Sequence, residues 1–108
     1  METLENRLNS VRKDAIAAIK DFFVTNNLAE VNIAVLETGD CPMVTPEKSL
    51  DCIEYDAEKD KFYFDASGEY DNDTYRLEEV STDCLVSVVE NLVFYKDDIL
   101  MFYNEGEE

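Results

Sequence analysis

Apolar residues recur along the start of the chain at alternating steps of four and three. Leu4, Leu8, Val11, Ala15, Ala18 and Phe22 make one stripe, and Ile16, Ile19 and Phe23 widen it. That period predicts an amphipathic helix over 2–27, with Arg7, Arg12, Lys13, Asp14, Lys20 and Asp21 off the seam. Asn26 and Asn27 suit its end, because Asn tolerates the left-handed conformation. A stripe of this kind reads as a core face.

The pattern then changes to alternation. Over 30–37, Val31, Ile33 and Val35 point one way and Asn32, Ala34 and Leu36 the other, which predicts a strand. Residues 38–49, TGDCPMVTPEKS, carry one Gly and two Pro and read as the longest connection in the chain. Three further strands are expected at 50–56, 61–67 and 74–80. The first two form a hairpin across Ala57-Glu58-Lys59-Asp60. Phe62 and Phe64 share a face with Ala66 and are the core residues expected of this sheet, with Tyr75 and Leu77 inward on the last strand.

Helical periodicity returns after Ser81 or Thr82, either of which can cap a helix, with Asp83 near its positive end. Leu85, Val88, Leu92, Tyr95, Ile99 and Phe102 step by three and four, so one helix is expected to run from 82 through Lys96 to Tyr103. The competing reading of VFYKDDILMFY is a hairpin turning at Lys96-Asp97-Asp98. The residues 104–108 read as a frayed acidic tail. The order is α-β-β-β-β-α: an α+β fold with a four-stranded, mostly antiparallel sheet and both helices packed on one face. At 108 residues, one domain over 1–108 is expected.

Charge changes the picture most. The chain holds 26 Asp and Glu against nine Lys and Arg, a net −17. The excess is lopsided, with 21 acids and five bases after residue 36. Such a field disfavours direct contact with nucleic acid or anionic membrane and favours a basic protein partner. No apolar run reaches membrane-spanning length, and the N-terminal segment lacks the pattern of a secretory leader. The three cysteines, Cys41, Cys52 and Cys84, are odd in number and form no CxxC. A reducing, cytoplasmic setting is expected.

Candidate chemistry is sparse. There is no His, so neither a Ser-His-Asp nor a Cys-His arrangement can form, nor a His-ligated metal site. Asp56, Glu58 and Asp60 alternate as at the start of a calcium loop, as do Asp71 and Asp73. The sixth position is Lys61 or Arg76 rather than Gly, and the twelfth is Ser67 or Thr82 rather than Glu. No glycine-rich phosphate cradle is present. The expectation is a protein that is not an enzyme and holds no cofactor or metal.

Two readings of function follow. In the first, the chain is a small acidic interaction protein acting through protein–protein contacts, with a homodimer as one form. Val93, Phe94, Leu100 and Met101 lie off the seam of the last helix and would supply apolar contact surface. In the second, it is a nucleic-acid mimic occupying the basic groove of a nucleic-acid-binding protein. There Glu54, Asp56, Glu58, Asp60, Asp65, Glu69, Asp71 and Asp73 would form a phosphate-like row, with Tyr55, Tyr63, Tyr70 and Tyr75 as anchors.

Overall fold

A computed structural model of the chain describes residues 3–33, 42–45, 47–68 and 72–105. The first helix, α1, spans Leu4–Thr25. Thr3 opens it by accepting the Asn6 amide on its side chain. Its end is a Schellman motif. Asn27 takes φ 54°, the Leu28 amide reaches the Phe23 carbonyl at 2.9 Å, and the Asn27 amide reaches that of Val24 at 3.3 Å. Asn27 thus supplies the left-handed residue its type suggests.

Five strands follow: β1 Glu30–Asn32, β2 Met43–Thr45, β3 Lys48–Asp56, β4 Lys61–Ser67 and β5 Asn72–Arg76. All pairings are antiparallel, in the order β1-β3-β4-β5, with β2 on the same flank of β3 as β1. β1 lies against Cys52–Glu54 and β2 against Lys48 and Ser49, so the two act as one interrupted edge strand. This corrects the expected four strands. Met43–Thr45 fall inside the stretch read as a connection, since flanking prolines hid a three-residue strand. Proline is tolerated at an edge, where it costs no ladder bond, and Val44 is buried there. The first strand is also shorter than expected. Ile33 is buried but outside the ladder, and Val35 and Leu36 lie outside the described residues.

The hairpin at 57–60 forms as expected, with Asp56 opposite Lys61 and Asp60 at φ 53°. A bulge at Asp51 keeps Leu50 and Ile53 both on the inner face. The last strand runs Asn72–Arg76, starting two residues before its expected span of 74–80 and ending four residues short of that span's end, and Leu77–Glu79 curl into a short 3-10 turn. Leu77 still points inward and is buried.

The final helical region is two helices, not one: α2 Thr82–Phe94 and α3 Lys96–Glu105. Ser81 caps α2, accepting the Cys84 amide at 3.2 Å. The break falls at Tyr95, with φ −108° and ψ 19°. Two local features accompany it. The Asn91 side chain donates to the Ser87 carbonyl, a contact that bends helices. Asp97 and Asp98 also belong in a first helical turn, where the amide dipoles favour negative charge. Periodicity persists across the break, so Leu92 and Ile99 are both buried, but the helix does not.

The core lies between the helices and one face of the sheet. Ile19, Phe23, Leu50, Ile53, Phe64, Leu85 and Ile99 are fully enclosed, and no described polar residue is buried. Phe23 meets Phe62 edge-on at 5.2 Å, and Tyr55 stacks on Phe62 at 4.5 Å. Full burial of a ring of this size contributes about 1.5–3 kcal/mol. The buried line on α1 is Ala15-Ile19-Phe23; Ala18 is exposed, although the stripe pattern placed it on the core face. The helix α3 flanks the sheet at β1, where the Asn32 amide donates to the Tyr103 hydroxyl at 2.9 Å. An edge strand covered in this way is less open to pairing with other chains.

Candidate protein-binding face

The helices α1 and α2 run side by side in the same direction. Arg12 sits at the start of α2, where Nη1 donates to Thr82 Oγ1 at 3.0 Å and Nη2 reaches the Leu77 and Glu78 carbonyls at 3.4 Å. Further along, Ala18, Phe22 and Thr25 lie beside Val89, Leu92 and Val93. Between them runs an apolar groove of about 530 Å³ with Asp21 and Lys96 on its rim. Phe22 and Val89 are partly buried in its walls, and Val93 is 70% exposed on its lip.

Arg12 reaches the first turn of α2, and residues 4–11, about 12 Å of helix, lie N-terminal to that contact. Leu4, Leu8 and Val11 continue the apolar stripe along this overhang and are 83%, 50% and 45% exposed. The stripe was legible in the sequence; its exposure was not read. The signal was length. A 22-residue helix is about 33 Å long, whereas the seven residues of β4 span about 23 Å.

On the far end of the helical layer, Phe94 is 80% exposed, with Met101 and Phe102 more than half exposed on α3. Leu100 is half-buried. None of these residues lines the groove.

The carboxylates fall in several places. On the open sheet face, Glu30 pairs with Glu54, Glu54 with Tyr63, and Cys52 with Asp65. Like charges this close disfavour one another. A hydrogen bond with Asp65, then burial, raises the Glu54 pKa. Burial first, then Glu30, Glu54 and Asp65, pushes the Cys52 thiol up to about 12. Burial alone pushes Cys84 to about 11.

Asp56 accepts the Glu58 and Lys59 amides and so builds the hairpin turn, leaving Glu58 exposed there. Asp60 faces α1, where it holds Lys20 and the Tyr55 hydroxyl. Asp73 is paired with Lys48. Tyr55 and Tyr75 pack against the core. Glu69, Tyr70, Asp71 and Cys41 lie outside the described residues. Among the described residues of the phosphate-like row and its tyrosine anchors, Glu54, Tyr63 and Asp65 are brought together on the open face.

Among the described residues, no group of three or more Cys, Asp or Glu side chains is placed to hold a metal ion. No helix of the described residues is long and apolar enough to cross a membrane. The chain matches no protein-family model, no curated protein and no solved structure.

Proposed function

We propose that this chain is a protein–protein interaction module whose contact surface is the helical layer, and that the groove between α1 and α2 receives one amphipathic helix. The observation that carries this reading is the groove itself, apolar along its floor and open to solvent between two parallel helices. Laying an apolar helix face into such a groove is a recurrent mode of recognition. The acidic rim residue Asp21 and the net charge of −17 favour a helix with basic residues beside its apolar stripe. No catalytic step is assigned to the surface.

The test is affinity capture with wild-type chain and with Val93→Glu as matched baits. Val93 is mostly solvent-exposed, so this substitution alters the lip without disturbing the core. A partner retained through high salt by the wild type and lost by Val93→Glu supports the groove. A nucleic-acid mimic would instead use the open sheet face. Its partner would bind Val93→Glu normally, be lost when Glu54 and Asp65 are neutralised, and elute with salt.

A further inference from the structure

We propose that the helix received by this groove is α1 of a second copy of the chain, docked reciprocally; this rests on the groove reading above. Three observations converge on a second copy.

The first is the overhang. Residues 4–11 are a capped helix that presents Leu4, Leu8 and Val11 largely or half exposed. A helix end of that chemistry is what the groove is shaped to take. The overhang and the groove also lie on one continuous face of α1, because α2 runs alongside in the same direction.

The second is spacing. Leu4, Val11, Ala18 and Thr25 follow at steps of seven, which drift slowly round a helix and so make one line. Two α1 helices laid antiparallel about a dyad between Asp14 and Ala15 set each overhang on the other copy's groove. Val11 then faces Ala18 of the second copy, and Leu4 faces its Thr25. Ala18 is exposed and small, so the backbones can approach closely. The contact is self-complementary and closes on itself, as a twofold interface must.

The third is charge. Arg7 and Asp21 are fourteen residues apart and within about 40° of each other round the helix, so they share one flank of the line. The same dyad brings Arg7 of each copy beside Asp21 of the other, making two reciprocal ion pairs. Residues 1–20 carry four bases and three acids, while residues 21–108 carry five bases and 23 acids. The overhang itself, 4–11, carries one base and one acid, Arg7 and Glu5, so it brings no net negative charge to that acidic body. Asp14, on the same flank, meets its own counterpart at the dyad and opposes the contact.

Sedimentation equilibrium over a micromolar concentration range tests this with wild type, Arg7→Glu, Asp21→Arg and an equal mixture of the two variants. Arg7 and Asp21 are exposed, and circular dichroism of each variant serves as the check on folding. The wild type is expected to dimerise, and each variant alone to weaken the dimer at least about tenfold. The mixture restores it, because both ion pairs re-form with reversed sign in one and native sign in the other. Asp14→Asn tightens the wild-type dimer.

A monomeric wild type overturns the inference. So does a dimer that ignores both substitutions, or one that the mixture fails to restore. Failure of this kind leaves the groove reading standing if Val93→Glu still abolishes capture of a different partner, and both fall if Val93→Glu changes neither capture nor self-association.

Discussion

The Lys20 ammonium lies 2.8 Å from one oxygen of the Asp60 carboxylate, and the Tyr55 hydroxyl donates to the other oxygen, also at 2.8 Å. Asp60 stands in the left-handed turn between β3 and β4, so this one side chain fastens the hairpin to α1. Its pKa is lowered first by Lys20 and then by Tyr55, and it raises that of the Tyr55 phenol in return. Asp60→Asn keeps a residue that tolerates the turn while removing the charge. The Tyr55 pKa is then expected to fall back toward 10.0 in an ultraviolet titration of the folded protein. An unchanged titration would show that Asp60 does not act on the phenol.

The Arg12 side chain joins α1 to the start of α2 through Thr82 and two carbonyls of the preceding turn. Arg12→Ala is expected to cost about 1.5–3 kcal/mol in urea unfolding, the range for hydrogen bonds that involve a charged group. Arg12→Lys should recover little, because a single ammonium cannot reach three acceptors set out for a planar fork. Full recovery by Lys would mean that charge alone matters here.

Stability should depend on pH in two opposed ways. Folding raises the Glu54 pKa above 4.5, through Asp65 and partial burial. The folded state therefore holds more protons than the unfolded chain just above that value, and Tm should rise as pH falls from neutral toward it. Folding lowers the Asp60 pKa below 3.8, so its contribution is present above that value and is lost as pH falls through the lowered pKa. Thermal melts across this range should pass through a maximum. Glu54→Gln should flatten the side above it, and an unaltered slope would place the effect on other carboxylates.

Thiol chemistry should be slow in the native protein. Cys52 and Cys84 are pushed up to about 12 and about 11, so neither holds an appreciable thiolate at neutral pH. In a Cys41→Ser variant, a disulfide reagent should label both residues only after denaturant is added. Rapid labelling of the folded variant would mean that the open sheet face is more accessible than its burial implies.

What could be read from the sequence was whatever depended on local pattern. The Phe62 and Phe64 alternation, the 57–60 turn, the Asn residues ending α1 and the Ser81 cap each act within a few residues of themselves. What escaped depended on distant partners. Met43–Thr45 become a strand only because Lys48 and Ser49 lie beside them. The 92–99 periodicity describes which side faces the core and is silent on whether the backbone continues, so the break at Tyr95 was invisible to it. The α1 stripe ran past the end of the layer it covers, and periodicity alone cannot say where a neighbour stops. Of the candidate surface, Val93, Phe94 and Met101 were legible as off-seam positions, whereas the groove needed α1 and α2 set side by side.

The pairing of α1 with α2 also constrains the order of events during synthesis. Arg12 meets Thr82 across 70 residues of chain, so α1 leaves the ribosome well before its neighbour α2 is made. Through that interval Phe23, enclosed in the finished protein, can meet Tyr55 and Phe62 once β3 and β4 are made, whereas the side of α1 that packs on α2 stays uncovered. Long-range closure of this kind slows folding. Residues 1–36 carry five acids and four bases, and residues 37–81 carry fourteen acids and four bases, so a nearly neutral amphipathic helix followed by a strongly acidic sheet region is the form in which a chaperone would meet the chain before α2 is made.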